Sequence, residues 1–145
     1  MTRSARIRWV IVPALLFYAC RSGEVKPVDI YPEDMCAVCR MAFSDHRFAS
    51  EIIDDRDEVY KFDDIGCMLE FRTSSRDVAM VSTFVKDYDT DEWIPFDRAT
   101  VVKTGIHTPM GSGKVAFRDS ARAAEFARQH PPAVGQSARR SGGGA

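Results

Sequence analysis

The chain has 145 residues, 45% of them hydrophobic and 28% charged, with 9 Gly and 7 Pro. Those proportions suit one folded domain and exclude a disordered, collagenous or coiled-coil chain. A balance of 20 basic against 21 acidic residues, net −1, gives no electrostatic case for nucleic-acid binding.

The first residues read as an address. Arg3, Arg6 and Arg8 precede an apolar stretch from Trp9 to Ala19 that contains Pro13 and no acid. A spanning helix needs about 20 apolar residues, so residues 1–19 are expected to be an export signal peptide and not a permanent span. Leu15-Leu16-Phe17-Tyr18-Ala19-Cys20 resembles a bacterial lipoprotein cleavage site. That resemblance implies lipidation of Cys20 and makes residues 20–33 a tether. Loss of the three arginines leaves 17 basic against 21 acidic residues, a charge of −4. With Cys20 lipidated, Cys36, Cys39 and Cys67 remain. An odd number of thiols in an exported protein points to a reactive or metal-binding thiol, or to an intermolecular bond.

Pro27 and Pro32 make residues 25–33 an extended leader, and Cys36-Ala37-Val38-Cys39-Arg40-Met41 opens the fold. Residues 47–53 and 58–62 read as a hairpin around the turn Asp54-Asp55-Arg56-Asp57. Asp63 or Asp64 is positioned to cap a helix running to Arg72, with Ile65, Met68, Leu69 and Phe71 as its apolar face. Residues 78–86 form the strongest strand by β-branched content. After an acidic turn, shorter strands are expected at 93–96, 99–103 and 114–117, with a glycine-rich loop at 105–113. Asp119 or Ser120 caps a second helix, which Pro131-Pro132 ends. The Ser-, Arg- and Gly-rich residues 132–145 are expected to be a disordered tail. Phe62, Asp64, Glu70 and Phe71 recur 55 residues later as Phe117, Asp119, Glu125 and Phe126. The pattern is two related units, about 34–88 and 93–131, within one α+β domain spanning 34–131.

Two constellations carry the chemistry. In Cys36-x-x-Cys39-x-Met41, two thiols three apart on a turn can address one point, and a thioether follows. Thioethers favour the soft ion Cu(I), whereas zinc prefers four thiolate or imidazole ligands. The alternative is a local disulfide with Met41 in the core. In His107-Thr108-Pro109-Met110-Gly111-Ser112-Gly113, an imidazole and a thioether stand on one constrained loop. The plain reading there is a turn with His107 solvated and Met110 buried. Cys67, in the first helical turn, reads as a small buried hydrophobe. Gly113-Lys114-Val115 lacks the glycine and hydroxyl of a phosphate loop, and the spacing around Ser112 is wrong for a nucleophile elbow.

Three ordered motifs carry a resemblance to a known family. They are Asp34-Met35-Cys36-Ala37-Val38-Cys39-Arg40-Met41, Phe62-Asp63-Asp64-Ile65-Gly66-Cys67-Met68, and the run His107 to Phe117. Together they resemble the NosL family, accessory lipoproteins of nitrous oxide reductase. One position departs: Arg40 stands where the family usually has Gly. The resemblance implies two ββαβ units packed together, related to part of the organomercurial lyase. It also implies a periplasmic, membrane-anchored Cu(I) chaperone and not an enzyme. Its partners would be the nitrous oxide reductase maturation machinery, including the periplasmic component of an ABC-type complex. A second copy of the chain is a further candidate partner. Carried onto this sequence, the copper ligands would come from Cys36, Cys39, Met41, His107 and Met110. Two other readings compete. One is a thiol-disulfide oxidoreductase using Cys36 and Cys39. The other is a structural zinc module built from Cys36, Cys39, Cys67 and His107.

Overall fold

The computed structural model describes residues 25–132. The expected signal peptide 1–19, Cys20 with the start of its tether, and the tail after residue 132 lie outside the described residues.

Acidic side chains set the corners of the first unit. Asp54 Oδ1 accepts from the backbone N–H groups of Arg56 (2.8 Å) and Glu58 (2.9 Å), which closes the hairpin between β1 (Ser50–Asp54) and β2 (Val59–Phe62). Asp64 then caps α1 (Ile65–Ser74), accepting from the Gly66 N–H at 2.6 Å. Ile65, Cys67 and Met68 are the buried residues of α1. The chain returns through β3 (Met80–Lys86), which pairs antiparallel with β1. This is the ββαβ order expected.

The next strand joins this sheet too. Asp87 N–H donates to the Glu92 carbonyl at 2.8 Å, so the acidic turn is tight and sends β4 (Trp93–Pro95) back along β3. Pro95 lacks an N–H and suits an edge strand. The four strands lie in the order β2-β1-β3-β4. Residues 93–95, expected to open the second unit, are therefore the edge of the first sheet. The second unit consists of the hairpin β5 (Thr100–Lys103) and β6 (Lys114–Phe117) with α2 (Ser120–Gln129). Among the described residues it is ββα, without a closing strand. Asp119 caps α2 as Asp64 caps α1.

Alternation along the second hairpin serves two cores. Val102, Val115 and Phe117 pack with Phe126 and Ala123 of α2. Val101 and Ala116, on the opposite face, pack against the main core of Ile52, Phe62, Ile65, Met68, Val85 and Ile94. The hairpin is thus the layer that joins the two units, since neither helix alone covers enough apolar surface to stand by itself. Asp87 adds a polar seam, with Oδ2 accepting from the Arg118 N–H at 2.7 Å and Oδ1 from the Asp89 N–H at 3.0 Å. The central strand β1 is buried along its whole length. Its Glu51 carboxyl is fully buried, accepts from the Val28 N–H at 2.9 Å through Oε1, and has no partner at Oε2 among the described residues.

Candidate metal centre

The Cys36–Met41 segment folds as a knuckle. Cys36 N–H donates to the Met41 carbonyl (2.9 Å) and Arg40 N–H to the Cys36 carbonyl (3.1 Å), and Met35 and Ala42 form a bridge. Ala37 N–H donates to the Lys61 carbonyl at 2.8 Å and fastens the knuckle to β2. Closing so tight a turn puts Arg40 at φ +63°. A side chain disfavours that left-handed region and glycine does not.

The knuckle faces the start of α1. One ligand atom each from Cys36, Cys39, Asp63 and Cys67 lies within 4.8 Å of all the others. Cys36 is fully buried, Asp63 and Cys67 nearly so. All three cysteines are free thiols. Cys39 Sγ donates to Asp63 Oδ1 at 3.5 Å. Burial, together with the adjacent Cys36 thiol and Asp63 carboxylate, pushes the Cys39 thiol up to about 11 against one opposing backbone hydrogen bond. Burial and the same neighbours also push the Cys67 thiol up. Both shifts favour the protonated thiol at Cys39 and Cys67. A coordinating metal ion deprotonates such thiols outright.

The glycine-rich loop closes over this cup because Asp64 does more than cap a helix. Its buried Oδ2 accepts from Thr108 Oγ1 (2.6 Å) and from the Met110 N–H (3.0 Å). Thr108 Oγ1 in turn accepts from the Gly113 N–H at 3.1 Å. Burial works to raise the Asp64 carboxyl. The hydrogen bonds from Ser112, Thr108 and the Gly66 and Met110 backbone outweigh it and hold the group below the usual carboxylate range. Two glycines permit the approach. A Cβ on Gly66 would lie 2.6 Å from the Ser112 Cβ, and one on Gly113, at φ +65°, would lie 2.4 Å from the Thr104 carbonyl oxygen.

The result is a cleft of about 410 Å³ with Cys39 and Cys67 in its wall and Met110 beside them. Of the expected ligands, Cys36 and Cys39 join the four-residue cluster, and Met110 shares the cleft. Met41 is 57% exposed and does not line the cleft. His107 is exposed and stands outside the cluster. Cys67, read from sequence as a small hydrophobe, is buried as expected but also belongs to the cluster, and Asp63 was missed altogether. Their signal was present: both sit around the helix start that Asp64 caps, where side chains converge on whatever packs above.

An antiparallel α+β frame carrying a buried cluster of thiols defines a small protein with the donors to hold a soft metal ion. The chain belongs to the NosL family, whose model matches residues 27–137. Among solved structures it is similar to the crystal structure of the copper chaperone NosL from Shewanella denitrificans. The TM-score is 0.63 at 16% identity, over 72% of this chain and 87% of that one. That likeness establishes the fold. Comparison with curated proteins gives no match.

Proposed function

We propose that this chain is a periplasmic, lipid-anchored Cu(I) carrier that delivers copper for the maturation of nitrous oxide reductase. One observation carries the reading: three thiols converge with a carboxylate at a cleft that a thioether also lines. Sulfur donors of both kinds favour Cu(I) over harder ions. Cys36, Cys39 and Cys67 would hold the ion, and Met110 would meet it on the side open to exchange. Met41 and His107 remain candidates for the exposed side, where a recipient would approach. Membership of the NosL family and the likeness to a copper chaperone support the metal. The exported, membrane-attached setting rests on Arg3 to Cys20 of the sequence.

The geometry argues against a thiol-disulfide oxidoreductase. Such enzymes offer an accessible attacking thiol to their substrate, whereas Cys36, the first thiol of the pair, is fully buried. A structural zinc module keeps one specific observation in its favour, because Asp63 supplies a fourth donor. Competition titration with Cu(I) separates the readings. The carrier binds one Cu(I) per chain, and Cys39→Ser weakens it at least about tenfold. Met110→Ala weakens it as well. Unchanged affinity in both variants would refute the assignment. A zinc module instead unfolds on chelation and ignores Met110→Ala.

A further inference from the structure

The cleft is larger than a metal ion requires. A volume of about 410 Å³ falls in the range of small-molecule sites, roughly 300–1,000 Å³. Its wall opposite α1 has an unusual composition. Lys103 of β5 and Lys114 of β6 are directly paired across the hairpin, and both line the cleft. Lys103 lies two residues after Val101 and Lys114 two residues before Ala116, so both are on the face turned toward the first unit. Like charges directly opposite on antiparallel strands repel at close range. Among the described residues neither lysine forms an ion pair or a side-chain hydrogen bond. Glu70 lines the same cleft from α1, yet no ion pair joins it to either lysine. Two lysines paired on one wall of a cleft that a thiol cluster also lines, neither of them ion-paired among the described residues, match an anion that arrives with the metal.

We propose that Lys103 and Lys114 form a carboxylate-binding subsite that receives Cu(I) as a complex with a small carboxylate-bearing thiol. The inference rests on the Cu(I) reading above and names the form in which the ion is offered. The carboxylate of the incoming complex sits between the two ammonium groups. Its sulfur then lies at the cleft in reach of Cys39 and Cys67. The ion passes from one thiolate to another by ligand exchange: each new Cu–S bond replaces an old one, the protein thiol gives up a proton, and the departing thiolate takes one. No change of oxidation state is involved.

The test compares two donors on the full chain: Cu(I) bound by mercaptosuccinate, which carries carboxylates, and Cu(I) bound by 2-mercaptoethanol, which does not. Stopped-flow transfer is expected to be on the order of tenfold faster from mercaptosuccinate at low salt. The doubly substituted Lys103→Gln, Lys114→Gln chain, which removes both charges without adding a sulfur ligand, should lose that advantage while still binding one Cu(I) at equilibrium. Equal rates from both donors, or an advantage that survives the substitutions, would overturn the subsite. Two metal-free readouts keep the subsite separate from the carrier reading. Mercaptosuccinate alone should shift the backbone NMR signals of Lys103 and Lys114, and no shift at tens of millimolar counts against the proposal even if Cu(I) binds normally. The double variant should melt at the same temperature or higher, since a repulsive pair is removed. A lower Tm would show that the pair is not repulsive and would defeat the argument.

Discussion

Asp64→Ala is the substitution with the most to reveal, because one carboxylate joins the helix start to the glycine-rich loop. Removal deletes an N-cap, worth about 1 kcal/mol. It also leaves Thr108 Oγ1 and the Met110 N–H without the charged acceptor they now share. Hydrogen bonds to charged groups contribute about 1.5–3 kcal/mol each, and the two share one oxygen and are not additive. The total loss is therefore about 3–5 kcal/mol, a large part of the roughly 5–15 kcal/mol that stabilises a domain. Urea unfolding measures it, and Cu(I) titration on the folded fraction should show weakened binding as the Met110 loop leaves the cleft. Asp64→Asn retains an acceptor oxygen and should lose less. A loss under about 1 kcal/mol for Asp64→Ala would show that solvent satisfies the loop and would refute the coupling. The pH limb has a definite sign. Because the folded pKa is lowered, the contribution is full above the unfolded value of about 3.9 and disappears as pH falls through the folded one.

Three further outcomes are expected. Arg40→Gly relieves a positive φ and should stabilise the chain by about 1 kcal/mol in thermal or urea unfolding; a destabilised variant would show that the Arg40 side chain matters more than its backbone. Gly66→Ala forces a methyl group to within 2.6 Å of the Ser112 Cβ, so the loop must shift; raised hydrogen exchange across residues 107–113 is the readout, and unchanged exchange contradicts the close packing. Burial raises the Glu51 carboxyl to about 7, so the folded state holds a proton that the unfolded chain releases near 4.3. Stability should then fall as pH rises from about 5 to 7, by up to about 3 kcal/mol in total, and level off above; Glu51→Gln should flatten that slope, and a slope that survives places the titration elsewhere.

Local chemistry made most of the fold legible. Asp54 and Asp64 announce a turn and a cap by residue type, and both perform those roles. The β-branched run before Lys86 is a strand because it packs between neighbours in a sheet. Trp93 to Pro95 could not be assigned to its sheet from pattern alone, since residue type does not say which neighbour a short edge strand pairs with, and the Asp87–Glu92 hydrogen bond that turns it back onto β3 is between backbone groups that any residue carries. The site divides in the same way. Cys36 and Cys39 are readable because their spacing is local. Asp63 and Cys67 join them only through the packing of the knuckle on α1. Sequence proximity alone does not place Met41, which follows Cys39 by two residues yet faces solvent.

The recurrence at an interval of 55 has a consequence for how this molecule divides its labour. Shifted by that interval, Asp63 and Cys67 fall on Arg118 and Arg122. Where the first helix start turns inward to gather sulfur, the second reaches outward, Arg118 to Glu92 at 3.2 Å and Arg122 to Asp89 at 2.9 Å. One helix start is thereby turned to the thiol cluster, and its counterpart grips the acidic turn between β3 and β4. Substitutions aimed at metal preference belong at the first helix start and the Met110 loop that faces it, and changes of surface charge belong at the second helix start.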